Sequence, residues 1–266
     1  MTAVRAFQER WRRWLDAVPR RVSRRRFDPA PVGAGALDAL DRVCLGFRPF
    51  GPARVVLLRE APGDLFRGVV GSYGKVKGAP HALVMAGPGD AAAEVGYVGE
   101  AAVLEATALG LDTCWVGGLF DPDRAAALAR LGPGERVFAV SPVGRAVSGK
   151  GLEERLMSAV ARSRSRKPLE TLAPGVARWP DWARAGAEAA RLAPSALNRQ
   201  PWRFAWEGPE VVLSADAPRD TYHIPKRLDC GIAMLHFELG ARGGGVAGDW
   251  RWERPPRVAR FLPAAR

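Results

Sequence analysis

Cysteine is scarce in this chain, with three in 266 residues, at positions 44, 114 and 230. An odd number at such wide spacing builds no disulfide framework and no CxxC motif, which points to a reducing cytoplasm. Histidine is equally sparse: His81, His223 and His236 show no metal-ligand spacing, so no metal is expected. His236 lies in an apolar, helix-like run and reads as a satisfied core histidine. No apolar run reaches the ~18–20 residues that a bilayer-spanning helix needs. Met1 to Arg26 is rich in arginine but holds Glu9, Asp16 and two tryptophans and has no continuous apolar stretch, which argues against a secretory signal. Also missing are GxSxG, GxxxxGK[ST] and a strand-linked GxGxxG, hence the nucleophile elbow, the P-loop and the dinucleotide fingerprint.

What the chain has in excess is positive charge, a formal net of +12. Such a surface attracts anions, from nucleic acid to phosphorylated small molecules. The charge is spread along the chain apart from clusters at Arg20–Arg26 and Arg162–Lys167. No nucleic-acid motif accompanies them, and aromatics are not interleaved as in a stacking groove. The expectation is therefore a small-molecule substrate, with neither nucleic acid nor membrane as partner. Val4, Phe7, Trp11, Trp14 and Leu15 recur at helical spacing, which predicts an amphipathic helix packed on the body of the protein.

The pattern along the chain predicts an α+β fold. Helices are expected near 3–17, 36–46, 94–110, 122–131, 151–162, 180–192 and 229–242. Strands are expected at Arg54–Leu58, Ala82–Ala86, Val137–Pro142, Arg203–Trp206 and Val211–Ser214. Three echoes in the same order suggest a duplicated plan. Glu94–Leu111 matches Asp229–Val246, with Gly96 opposite Gly231, Leu104 opposite Leu239 and Gly110 opposite Gly245. Phe50–Leu57 matches Gln200–Trp206, with Pro52 opposite Pro201 and Arg54 opposite Arg203. Arg21–Phe27 matches Ser163–Leu169. Two halves follow, 1–162 and 163–266, joined near Arg145–Lys167 by a Gly- and Ser/Arg-bearing linker.

Four segments carry chemistry. Arg21-Val-Ser23-Arg-Arg25-Arg-Phe27 offers guanidinium forks and a hydroxyl, the donors that satisfy a phosphomonoester through charge-assisted hydrogen bonds. Gly110-Leu-Asp-Thr-Cys-Trp-Val-Gly117-Gly118 would let backbone come close to a planar ring. Pro194-Ser195-Ala-Leu-Asn198-Arg-Gln200-Pro201-Trp202 fixes amides and a hydroxyl between two prolines. Arg162–Leu169 places Arg164 and Arg166 in a basic run, readable as phosphate partners or as a solvated linker.

Together these segments resemble the FMN-dependent nitroreductase family, most of all its two-domain, single-chain branch. The first is similar to the RxSxRxF entry, the second to GLxTxWxGG and the third to PSxxNxQPWxF. The resemblance implies a nitroreductase-like fold, duplicated within the chain as a pseudo-dimer of mixed sheet and helices, and a monomer or weak dimer. It implies FMN bound by Arg21, Ser23, Arg25, Gly117, Gly118, Pro194, Ser195, Asn198 and Gln200, with Arg164 and Arg166 as phosphate partners. It implies NAD(P)H as electron donor and a nitroaromatic or quinone as acceptor, with no catalytic side chain of the protein's own. Val22 stands where a polar or basic residue is common. The first half has Phe50–Arg54 in place of PSxxNxQPW, and the second has Gly243–Asp249 in place of WxGG, so one flavin per polypeptide is expected. Two other readings remain at this stage: the same fold without redox turnover, acting as a binding or scaffold protein, and a basic nucleic-acid-binding protein.

Overall fold

The computed structural model describes residues 3–66, 76–147, 165–217, 219–220 and 223–264. The expected helix at 151–162 and most of the expected linker lie outside the described residues. Helix α1 (Ala3–Ala17) and helix α2 (Ala34–Gly46) precede a first sheet made of β1 (Arg54–Leu58), β2 (His81–Pro88), β3 (Asp112–Thr113) and β4 (Glu135–Gly144). Between its strands run α3 (Ala92–Ala108) and α4 (Pro122–Leu128). After the short α5 (Leu169–Leu172) and α6 (Asp181–Arg191), a second sheet forms from β5 (Trp202–Glu207), β6 (Glu210–Ala215), β7 (Gly248–Trp252) and β8 (Arg257–Pro263). Helix α7 (Lys226–Gly243) connects β6 to β7.

The two sheets are built alike. Each has four antiparallel strands, in the orders β1-β2-β4-β3 and β5-β6-β8-β7, with a long helix between the second and third strands. Arg54 pairs with Ala86, and the register steps between Met85 and Ala86. Arg203 pairs with Ser214, and the register steps between Leu213 and Ser214. The bulge thus falls at the same rung of each ladder. Both long helices close with the same two hydrogen bonds, Leu111 N to Ala106 O and Gly110 N to Thr107 O, against Val246 N to Ala241 O and Gly245 N to Arg242 O. This is a Schellman motif, and it needs a residue in the left-handed region. Gly110 and Gly245 supply it with φ of 76° and 87°.

This register corrects one alignment. Counting on from the matched caps, Trp250 falls level with Trp115. The ladders agree, since Val116 bridges Val140 while Arg251 pairs with Arg260. Asp249–Glu253, and not Gly243–Asp249, therefore stands where Cys114–Gly118 stands in the first module. Trp252 and Glu253 take the places of Gly117 and Gly118.

The modules share a core. Helices α3 and α7 cross with their backbones in contact at Gly96 and Gly231. A Cβ on Gly96 would run into the Leu228 carbonyl, and one on Gly231 into that of Ala93. Each glycine therefore meets the residue three places before the other, as a two-fold relation requires. The same buried cluster takes in Trp14 of α1, Leu83 and Met85 of the first sheet, and Phe204, Phe237 and Phe261 of the second module. Helix α1 packs through Trp11, Trp14 and Leu15 as their spacing predicts, with Val4 and Phe7 outside the described side chains: Trp14 is fully buried and its indole N–H donates to Glu105 Oε2 at 2.7 Å. Among the described residues no helix is long and apolar enough to cross a membrane.

Strands β3, β7 and β8 were not expected. In β7 Trp250 is buried between exposed Asp249 and Arg251, whereas in β8 the adjacent Val258 and Ala259 are both buried, with Phe261, and Arg257 and Arg260 are partly exposed, so no clean alternation marks β8. Arg260 reaches Glu253, Glu210 and Glu207, so an arginine-rich stretch becomes a strand through cross-strand ion pairs.

Candidate functional site

The basic entry segment lies against the glycine loop. Ser23 bridges Thr113 in parallel, and Arg24 N donates to Thr113 O at 2.8 Å. The chain then passes through Cys114 and Trp115 to Gly117, which is partly buried, and Gly118, which is exposed. A Cβ on Gly117 would meet Ile224 Cδ1 at 3.2 Å, so this backbone sits close to the second module's segment before α7. Arg25 is partly buried, and its carbonyl accepts from Lys77 N at 2.9 Å.

The 193–201 loop is held in a conformation that its residues do not favour alone. Leu197, Asn198 and Gln200 have φ of 52°, 56° and 47°. Asn tolerates this region; for Leu and Gln it costs about 1–2 kcal/mol each. Strain of this kind persists only where surrounding contacts over-determine it, and here they do. Asp229, at the start of α7, accepts Ala196 N at 3.1 Å and Arg199 Nε at 2.6 Å. Arg199 also donates to Ile224 O at 3.0 Å, which links the loop to the residue packed on Gly117. Ser195 Oγ accepts Gln200 N at 2.9 Å. Burial pushes the Asp229 carboxyl up to about 6 despite Arg199.

The amides of this loop bind the segment that follows the undescribed stretch. Gln200, 2% exposed, accepts Lys167 N through Oε1 at 2.8 Å. Its Nε2 donates to Asn198 O at 3.1 Å. Asn198 accepts Arg166 Nη1 at 3.2 Å and donates to Ser165 O at 2.9 Å. Arg166 also donates to Leu192 O at 3.2 Å. Pro194 is buried beneath this web. The amides thus fasten Arg166 to the loop, a role that sequence reasoning did not assign them.

Guanidinium groups converge here. Burial, and then the charges of Arg21 and Arg191, lowers Arg166 to about 10. The Arg21 side chain is 6% exposed, and its Nε has no hydrogen-bond partner. The buried Nε of Arg191, in the last turn of α6, likewise has none. Arg21 and Arg166, far apart in sequence, are thus near enough for their charges to act on one another, as is Arg191, which was unforeseen. Arg164 lies outside the described residues.

Behind Arg21 sits Glu100, fully buried on α3. Its Oε2 accepts the Trp115 indole N–H at 2.7 Å. Its Oε1 lies 2.8 Å from His236 Nε2 and 3.9 Å from Arg21 Nε. His236, also fully buried, has Nδ1 3.2 Å from Ala189 O, so both ring nitrogens are partnered, as expected of a core histidine. Sequence reasoning missed Glu100, Asp229 and Arg191. For Glu100 the available signal was a carboxylate in the middle of a largely apolar helix, which a solvated face does not explain.

The arrangement sets buried arginines beside a strained, amide-lined loop and a close glycine backbone. Its chemistry suits an anionic group at the guanidinium end and a planar, hydrogen-bonding group along the loop.

The family model described as "Putative TM nitroreductase" matches residues 14–241 of this chain. A Thermotoga maritima protein, described in the same terms, shares the fold at a TM-score of 0.64 and 22% identity, over 94% of this chain and 93% of its own. A nitroreductase with bound FMN from Bacteroides fragilis gives a TM-score of 0.42 at 19% identity, over 52% of this chain and 91% of its own. A nitroreductase family protein from Clostridium novyi gives 0.42 at 17%, over 51% and 86%. Neither of these last two bears on the geometry here. No curated protein matches the sequence.

Proposed function

We propose that this chain, which belongs to the nitroreductase family through the match over residues 14–241, is an FMN-dependent oxidoreductase. It would pass electrons from NAD(P)H to an electron-poor acceptor such as a nitroaromatic or quinone, one substrate following the other in the same cleft. The observation that carries the reading is the buried guanidinium of Arg21, whose charge, with that of Arg191, acts on partly buried Arg166. Like charges that act on one another in this way suit an anion, and a phosphomonoester brings close to two negative charges and several acceptor oxygens.

When bound, FMN supplies the hydride chemistry. The chain's residues supply the rest. Arg21, Ser23 and Arg25, with Arg166, Arg191 and Arg164, would hold the phosphate. Gly117 and Gly118 would offer backbone N–H groups to the ring. Ser195 has a hydroxyl proton to donate, because its oxygen already accepts Gln200 N. Asn198, with Gln200 behind it, would read the polar edge, and Pro194 would hold the loop in place. The matching ladders, caps and glycine crossing support a duplicated, pseudo-dimeric chain whose halves, 1–162 and 163–266, build one site between them. A monomer or weak dimer follows from that plan, and the few, widely spaced cysteines suit a reducing cytoplasm.

An absorption spectrum of the purified protein tests this directly. Bound FMN gives flavin bands, and titration of the apoprotein should reach one FMN per chain. No flavin bands and no uptake on titration would remove the proposal.

A further inference from the structure

Glu100 touches three separate parts of the molecule, and no part of the reading above uses it. Its Oε2 holds Trp115, two residues before the glycine pair. Its Oε1 faces His236 of the second module and the Nε edge of Arg21. Arg21 makes no other ion pair among the described residues, and its Nη groups are not among the buried unsatisfied atoms. The Nε edge is therefore the one that faces the Glu100 carboxylate, across 3.9 Å.

We infer that Glu100 is a positioning residue for Arg21: it fixes the guanidinium by its Nε edge and so presents the other edge to an anionic ligand. The inference rests on the flavin reading of the same pocket and adds to it a residue that never touches the ligand. A guanidinium held in this way spends less of its binding energy on ordering when a phosphate arrives. The single carboxylate also offsets part of the repulsion among Arg21, Arg166 and Arg191 without filling the pocket.

Glu100→Gln removes the carboxylate and keeps its shape. The glutamine oxygen can accept the Trp115 N–H, and its amide N–H can face His236 Nε2 while Nδ1–H points at Ala189 O. What goes is the carboxylate facing Arg21, together with the N–H that His236 Nε2 gives to it.

The test compares FMN with riboflavin, which has the same ring and ribityl chain without the phosphate, by fluorescence titration of the full chain. Glu100→Gln should weaken FMN by about tenfold, the size of one charge-assisted contact, and leave riboflavin unchanged. In an Arg21→Ala background Glu100→Gln should have no further effect on FMN. Equal loss for both ligands would show a general disturbance of the cleft and overturn the inference, as would full additivity with Arg21→Ala. Glu100→Asp, which keeps the charge but withdraws it by one methylene, should fall between, and serves if the glutamine variant does not fold. A wild-type chain that binds FMN no better than riboflavin would instead sink the phosphate reading, and this inference with it.

Discussion

Replacing Gly231 by alanine adds one methyl group at the place where the two modules are closest. The new Cβ would overlap the Ala93 carbonyl oxygen and lie 2.7 Å from its carbon and 2.9 Å from Ala93 Cα. The obstacle is helix backbone on α3, which cannot swing aside as a side chain can. Ordinary carbon contacts begin near ~3.5 Å, so the helices must part by roughly an ångström. Parting them loosens a core in which Val95, Ala101 and Ile232 are all essentially unexposed. Overpacking of this kind costs about 1–3 kcal/mol, and a backbone obstacle belongs at the upper end. Alanine in a helix interior returns up to ~1 kcal/mol of propensity. A net loss of about 2 kcal/mol follows, or a fall in Tm of ~4–8 °C for a chain of this size. Gly35→Ala in α2 is the control, since nothing lies within 4 Å of its would-be Cβ; it should be neutral or slightly stabilising. The double variant Gly96→Ala/Gly231→Ala should cost less than the sum, because both methyls push on the same crossing. Urea melts followed by circular dichroism measure all five proteins: wild type, the two single variants, the double variant and the control. A Gly231→Ala protein as stable as wild type would refute the close crossing and the two-fold relation drawn from it.

Three further outcomes are expected. Arg21→Ala with Arg25→Ala removes two charge-assisted contacts and should weaken FMN by about 3–6 kcal/mol, over a hundredfold; unchanged binding would mean that the phosphate lies elsewhere. Asp229→Ala removes the carboxylate that holds Arg199 Nε at 2.6 Å, where the Arg199 side chain is 13% exposed, and should cost about 3–5 kcal/mol of stability, read from a denaturant midpoint. Burial pushes Glu238 up to about 7, with Tyr97 and Arg242 pulling the other way. The folded chain therefore holds a proton that the unfolded chain loses near pH 4.5, so this group's contribution to stability is greatest below pH 4.5 and declines as pH rises toward 7. The decline is worth about 3 kcal/mol at most; Glu238→Gln should flatten that part of the stability–pH curve, and a variant with the same slope as wild type would count against a buried, proton-holding glutamate.

Much of the fold was legible because its signals are local. The apolar face of 94–111 and the glycine that ends it specify α3 from the sequence alone, and the same signals recur in α7. The Pro194–Trp202 run was readable as a loop because prolines fix backbone wherever they occur. What could not be read depends on pairing. Strand β3 is two residues long and exists only because β4 lies beside it. The arginines of β7 and β8 look like solvated surface until Glu207, Glu210 and Glu253 are placed opposite them. The candidate site divides the same way. Its motif residues were visible in the sequence, whereas Glu100, Arg191 and Asp229 matter only through partners brought from distant parts of the chain.

The crossing of α3 and α7 has a consequence for what the interior can hold. In an assembly of two identical chains, anything placed near the symmetry axis is placed twice. A glutamate facing a histidine across that axis would come with a second such pair, doubling the desolvation cost of buried charge. Here the position equivalent to Glu100 is Leu235, and that equivalent to His236 is Ala101. Leucine and alanine fill those places with apolar surface. A single polypeptide can set one side of its axis aside for charge and keep the other dry, a division of labour closed to a strict dimer.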